Sequence, residues 1–167
     1  CVIGHVGRFH PQKNHGFLID IFYEFLKHHP ESILLLVGDG SGRAAIRRKI
    51  NRLGISSHVC FTGSRGDVPD LLQAMDVFVF PSHYEGLGIS IVEAQAAGLP
   101  CLISDTIPAE CIVTKHLVVR YDLKKPPDAW AEKITSLLHL PRKDRTDEIR
   151  QAGYDLTQAA EKLETFY

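Results

Sequence analysis

The chain has 167 residues, 44% of them hydrophobic and 23% charged, with a formal net charge of −1. That balance shows no basic excess of the kind nucleic acid demands, leaving only a local basic patch open, and no apolar run approaches the ~20 residues that span a membrane. The length suits a single domain, residues 1–167, that buries roughly 70% of the surface its unfolded chain exposes.

In chain order, Val2-Ile3-Gly4-His5-Val6-Gly7 is short, apolar and β-branched and predicts a strand. A chain that starts at Cys1 inside a strand is expected to be part of something longer. A turn-rich loop, Gly7-Arg8-Phe9-His10-Pro11-Gln12-Lys13, follows, and Asn14 is placed to cap the next helix. Phe17, Leu18, Ile21, Phe22, Phe25 and Leu26 recur there at helical spacing until Pro30. The continuous apolar run Ile33–Val37 predicts a strand buried on both faces. Gly38-Asp39-Gly40-Ser41-Gly42 leads into a basic helix from Arg43 to Leu53, closed by Gly54. Residues 59–61 predict a third strand; Asp67 caps a helix containing Leu71, Leu72 and Met75; Val77–Phe80 is a fourth strand. Residues 89–97 form a helix, 102–103 and 117–119 two further strands, and Pro126-Pro127-Asp128 opens a helix through Trp130, Ile134, Leu137 and Leu138. The polar stretch from about 144 to 167 is helical in pattern.

Strand and helix alternate about six times with short connections, which predicts an α/β fold with a doubly wound, mostly parallel, Rossmann-like sheet of about six strands. Ligands of such sheets sit beyond the carboxyl ends of the strands. The loops at Arg8, Gly38 and Glu85 follow strands one, two and four and share that edge. In the third of these loops, Pro81-Ser82-His83-Tyr84-Glu85-Gly86-Leu87-Gly88 runs from a strand into a helix bearing Glu93. Strand, glycine-rich loop and helix aim backbone N–H groups and the positive end of a helix dipole at an anion. Glu85 can reach what is attached to that anion, and Glu93 can accept hydrogen bonds from a diol such as a ribose. In a stretch as apolar as Ile91-Val92-Glu93-Ala94 an unpaired charge is costly, and a ligand diol would justify it. Arg8 and Lys13 suit a diphosphate, although by themselves they read as a solvated surface pair.

Glu85 and Glu93 are separated by seven residues, within Pro-Ser-x-x-Glu-Gly-Leu-Gly and ahead of Glu-Ala-Gln-Ala-Ala-Gly-Leu-Pro. This pattern resembles the signature of retaining GT-B glycosyltransferases, and more narrowly glycosyltransferase family 4. Val-Gly-Arg-Phe-x-x-x-Lys-Asn resembles that family's phosphate loop, and the matching positions run from about Gly7 to Trp130. The resemblance implies the donor-binding C-terminal half of a GT-B enzyme. Such an enzyme moves a sugar from a nucleoside diphosphate to a hydroxyl acceptor, in polysaccharide or glycoconjugate assembly of a bacterial kind. It implies Arg8, Lys13 and Glu85 as catalytic groups, the cations neutralising the leaving diphosphate and Glu85 holding the sugar. It implies Gly7, Gly86, Leu87, Gly88 and Glu93 as donor-binding, Glu93 at the ribose. Arg65 stands where the family often places the base.

The partners expected are a nucleotide sugar and, through a missing N-terminal half, a glycan or lipid-linked glycan acceptor. The segment from about 144 to 167 is expected to pack against that half, and peripheral membrane association of the full-length enzyme stays open. No cofactor is expected. There is no Asp-x-Asp pair, His5, His10 and His15 straddle a strand and a loop, and Arg8 with Lys13 makes a metal unnecessary. Gly38–Gly42 lacks the G-x-G-x-x-G spacing and reads either as a plain turn or as a close-approach loop. His83 is a candidate donor neighbour. Cys1, Cys60, Cys101 and Cys111 form no C-x-x-C pair, and Cys60 and Cys101 in apolar runs read as reduced, packed thiols, which predicts a cytoplasmic location, open to the inner face of the membrane. A nucleotide-sugar epimerase and a non-catalytic nucleotide-binding module are the alternatives; a glycosidase needs the two carboxylates but no phosphate site.

Overall fold

A computed structural model describes residues 1–154. Six strands, β1 (Val2–Val6), β2 (Ile33–Val37), β3 (Val59–Gly63), β4 (Val77–Phe80), β5 (Cys101–Ser104) and β6 (Val118–Tyr121), form one sheet in the order β3-β2-β1-β4-β5-β6. All neighbours are parallel, and the order reverses between β1 and β4. That reversal is the point at which open α/β sheets part their loops to admit a ligand.

The strands alternate their side chains between two cores. Ile3, Leu34, Leu36, Val77, Val79 and Leu102 face one, with α1 (His15–Leu26) and α5 (Pro127–Leu137) over them. Leu35, Val37, Phe78, Phe80, Cys101 and Ile103 face the other, covered by α3 (Val68–Gln73), α4 (Ile89–Ala96) and α6 (Thr146–Gln151). The central strands β4 and β5 are buried throughout, as a strand covered on both faces requires, whereas β3 and β6 at the edges keep exposed positions. In α2 (Arg43–Leu53) only Ile50 is fully buried, Lys49 reaches across to Asp20 and the Gly16 carbonyl of α1, and Gly54 ends it with φ 72°.

Local chemistry differs from the expectations at several points. Asn14 precedes α1 but adopts φ 54° and makes no side-chain cap; it ends a 3₁₀ turn, Pro11–Lys13, that the periodicity does not reveal. Asp67 also makes no cap, because its carboxylate is taken by Arg65. Met75 lies beyond the end of α3, wholly buried against Gly4. Helix α1 stops at Leu26, before Pro30. Cys60 is exposed on the edge strand β3 rather than packed, while Cys101 is buried, and all four cysteines are free.

Part of the polar C-terminal segment is an integral piece of this domain. The Arg142 guanidinium donates to the carbonyls of Leu72, Gln73, Met75 and Ala97 at 2.9 to 3.1 Å, joining the ends of α3 and α4. A Cβ on Gly98 would lie 2.0 Å from the Lys143 carbonyl oxygen, so the same segment is pressed onto the end of α4. Ile149 of α6 is buried in the second core, and Tyr154 donates to the Glu110 carbonyl at 3.1 Å. Residues 155–167, where the rest of the expected helical tail falls, lie outside the described residues. Arg142→Ala leaves those carbonyls without their charged donor and is expected to cost about 2 kcal/mol, read as a lower midpoint in denaturant unfolding, whereas Arg142→Lys recovers only part of the loss.

Candidate functional site

Three loops meet at the carboxyl edge of the sheet. The loop after β1 is fixed first by main chain. Phe9 N donates to Asp39 O at 3.0 Å, and Gly42 N donates back to Phe9 O at 3.0 Å. This contact explains the glycine run at 38–42. A Cβ on Gly38 would meet Gly7 O at 2.2 Å, and one on Gly40 would meet Phe9 O at 2.7 Å, both at positive φ. The run is therefore a close-approach loop, and what it approaches is the backbone carrying Gly7 and Arg8. Arg8 itself is exposed and has no partner among the described residues.

The 3₁₀ turn Pro11–Lys13 then clasps the loop after β4. Gln12 accepts from His83 N through its carbonyl and donates from Nε2 to Tyr84 O, each at 2.8 Å. Lys13 Nζ meets both oxygens of Glu85, at 2.9 and 2.8 Å, and lies 4.6 Å from the centre of the Phe80 ring. Two of the sequence-predicted site residues are thus one largely buried ion pair. His83, beside them, is anchored by its backbone and is exposed.

From Tyr84 to Ser90 the backbone N–H groups donate to nothing among the described residues. Gly88 sits in the middle of this row at φ 58° as the cap of α4, where a side chain would press on Cys111 at 3.3 Å. The row is held from behind. Gln95, fully buried in α4, donates to Cys111 O at 2.7 Å and accepts from the N–H groups of Val113 and Thr114. Ser82 O, at the start of the loop, accepts from Ser104 at the end of β5 and from Thr106 just beyond it. Unpartnered N–H groups at the start of a helix form a positive pole for an anion.

Beside Arg8 an open groove of about 500 Å³ is lined by Gly7, Gly38, Asp39, Ser64, Arg65 and Val68. A second, of about 270 Å³, is lined by Pro69, Gln73, Glu93 and Asp144. The first groove reaches the start of α3 at Val68, and the second runs along α3 and α4 from Pro69 and Glu93. Glu93 is exposed rather than buried, which removes the burial paradox of its apolar neighbours. No cation pairs with it among the described residues, and partial desolvation raises its carboxyl pKa above the ordinary value. Arg65 lines the first groove but its guanidinium is held by Asp67. Among the described residues no three His, Cys, Asp or Glu side chains converge as a metal site.

Residues 1–155 match the family model described as glycosyl transferases group 1. The chain is 38% identical over 169 residues to the putative glycosyltransferase EpsF of Bacillus subtilis, covering 99% of this chain and 44% of that protein. It is 34% identical over 111 residues to the UDP-Gal:alpha-D-GlcNAc-diphosphoundecaprenol alpha-1,3-galactosyltransferase of Escherichia coli, covering 65% of this chain and 29% of that one. The chain belongs to the glycosyl transferases group 1 family. It spans less than half the length of these curated relatives.

Among solved structures, Anabaena HepE in complex with UDP-glucose superposes with a TM-score of 0.75 at 25% identity, over 98% of this chain and 48% of that one. The C-terminal domain of the group 1 protein LpcC from Francisella tularensis gives 0.72 at 21% identity, over 93% and 86%. The six-stranded parallel sheet with helices on both faces is that of GT-B C-terminal domains.

For a group 1 glycosyl transferase domain, the residues that sequence reasoning misses are supports. Gln12 bonds to Tyr84, 72 positions away, and Gln95 reaches its partners across a loop, so no local pattern announces either. His5 and His15, which the sequence raises only as metal ligands, form the floor beneath Lys13. His5 is wholly buried with Nδ1 2.9 Å from Val79 O, and the two rings stand edge to face at 4.7 Å. Burial, then the neighbouring Lys13 charge, pushes His15 down to about 4, and burial with the His15 and Lys13 charges lowers His5 as well. Both imidazoles are neutral at pH 7. Since the unfolded chain binds the proton near pH 6.5, His15 contributes stability that is complete above that pH and is lost as pH falls toward 4, about 3 kcal/mol in all. Equilibrium unfolding between pH 7 and 4 is expected to show that slope, shallower in His15→Phe, with His5 contributing in the same direction.

Proposed function

We propose that this chain is the donor-binding half of a retaining glycosyltransferase of family 4 type, using a nucleoside-diphosphate sugar to extend a glycan or lipid-linked glycan in polysaccharide assembly. The observation that carries the reading is the meeting of Lys13, Glu85 and the unpartnered N–H row 84–90 at the sheet's switch point. In this reading Arg8 and Lys13 neutralise the diphosphate, with Gly7 allowing its approach. The N–H groups of Gly86, Leu87 and Gly88 receive the distal phosphate or sugar hydroxyls. Glu85 holds the sugar, and the nucleoside crosses the start of α3 so that its ribose hydroxyls reach Glu93.

Chemically the arrangement offers stabilisation of a departing anion by charges and dipoles already in place, the largest contribution in many transfer reactions. Two cations and a helix terminus supply what a divalent ion supplies elsewhere, so the reaction is proposed to be metal-independent. The relatives' names support the class: one forms a linkage from UDP-Gal on a lipid diphosphate acceptor, and HepE was solved with UDP-glucose. The remaining half of the full-length enzyme is proposed to bind the acceptor and close over this edge.

The test is calorimetric titration of the chain with UDP, GDP and ADP. One nucleotide is expected to bind at about 10–1,000 μM, or ~4–7 kcal/mol, with EDTA making no difference. Arg8→Ala and Glu93→Ala are each expected to weaken it roughly tenfold, the loss of one charged hydrogen-bonding group. Tight binding by a folded Arg8→Ala, Glu93→Ala double variant would sink the assignment.

A further inference from the structure

Lys13 and Glu85 neutralise each other before any ligand arrives. Their side chains are only 17% and 7% exposed, and the carboxylate gives both oxygens to one ammonium. No second hydrogen bond reaches either charged group among the described residues. Around Lys13 stand the Phe80 ring, the Gly7 backbone and the His5 and His15 imidazoles. No other charged side chain pairs with either group, and the buried Nε2 atoms of His5 and His15 are themselves without hydrogen-bond partners among the described residues.

We propose that this ion pair makes the site select glycosylated nucleoside diphosphates over free ones, because a phosphate takes Lys13 only by leaving a largely buried carboxylate without its partner, which sugar hydroxyls must then satisfy. The inference rests on the donor-site reading above. A phosphate oxygen that shares Lys13 faces Glu85 across the ammonium, and like charges in a partly desolvated site repel. With a bare diphosphate, the Glu85 carboxylate stays largely buried and loses its charged partner, a costly state. A donor sugar brings O–H groups to the same place, and charge-assisted bonds to the carboxylate offset that cost. Glu85 therefore acts in two directions: against the bare diphosphate and for the glycosylated one, which is selection by penalty as well as by attraction. The same device assists turnover. Once the sugar has left, the nucleoside diphosphate loses the hydroxyls that satisfied Glu85, and the carboxylate recaptures Lys13 as the product departs.

The experiment titrates the full chain with inorganic pyrophosphate, UDP and UDP-glucose, followed by NMR, in wild type, Glu85→Gln and Lys13→Ala. Glu85→Gln is expected to bind pyrophosphate and UDP more tightly than wild type by about threefold or more, and to lose roughly tenfold of the preference for UDP-glucose over UDP. Tighter binding is the diagnostic sign, since a Glu85 that only supported the fold or only touched the sugar would leave pyrophosphate unchanged or weaker. That unchanged result, with Lys13→Ala still weakening pyrophosphate, overturns the selection mechanism and leaves Lys13 as a diphosphate ligand. Pyrophosphate binding indifferent to Lys13→Ala overturns the donor-site reading together with it. If Glu85→Gln does not fold, the wild-type Glu85 carboxylate carbon decides the same question. Its resonance moves during the pyrophosphate titration if the pair opens, as the proposal requires; a resonance that stays in place overturns it.

Discussion

The pairing of β1 with β4 is the constraint from which the site follows. It joins segments about 74 positions apart through a short register, Ile3 with Val77 and Gly4 with Phe78. Two contacts lock its entrance: Val2 N donates to the Asp76 carboxylate at 2.7 Å, and Asp76 N donates to Val2 O at 2.8 Å. Space for it comes from Gly4, where a Cβ would lie 1.9 Å from the sulfur of the buried Met75. Because the strands are parallel and adjacent, their carboxyl ends deliver the loop bearing Lys13 and the loop bearing Glu85 to one spot. Every other feature of the site refines that delivery.

A buried ion pair at that spot is weak evidence for stability. Desolvating two charges costs about as much as their attraction returns, and apolar replacements of such pairs are often neutral or better. The surroundings make the exchange less favourable still, since they offer an aromatic face and two uncharged imidazoles instead of further charged groups. A chain selected only for stability gains little by placing Lys13 and Glu85 here. In the proposed donor site both charges have a use, since a ligand anionic at one end and hydroxylated at the other would enter between them. The neutral state of His5 and His15 fits the same account, because a charged imidazole beneath Lys13 would repel it and draw Glu85 down.

The sequence conveys the fold well because its strongest signals are periodic. Continuous apolar runs mark β2 and β4, and the helical spacing of α1 is plain from Phe17 to Leu26. Edges are less legible: β3 and β6 carry mixed residues, since each is only partly covered, and both extend further than their apolar runs suggest. Of the site, the carboxylates and glycines can be read because their spacing along the chain is fixed by one strand–loop–helix unit. The Lys13–Glu85 pair cannot, since it depends on which strands become neighbours. The expected capping roles of Asn14 and Asp67 fail for a related reason. Residue type makes each a good cap, but Asn14 is needed in a left-handed turn and Asp67 is drawn to Arg65.

The glycines separate what the chain needs for itself from what it leaves for others. At 4, 38, 40, 42 and 98 an added Cβ would strike protein atoms at less than 3.0 Å, and at 54, 63, 88 and 153 the backbone has a positive φ. Gly7 is intermediate, with a Cβ there 3.0 Å from the His5 ring. Packing or conformation accounts for all of these. Gly16, Gly66 and Gly86 have neither reason: no atom lies within 4 Å of an added Cβ, and none has a positive φ. All three lie at the starts of helices or in the loops before them, at the carboxyl edge of the sheet. Nothing inside the described chain asks for glycine at those positions, whereas a ligand or a second domain that must come close to the backbone does. These three positions leave the backbone open along the carboxyl edge, at the start of α1, in the loop before α3 and in the N–H row before α4.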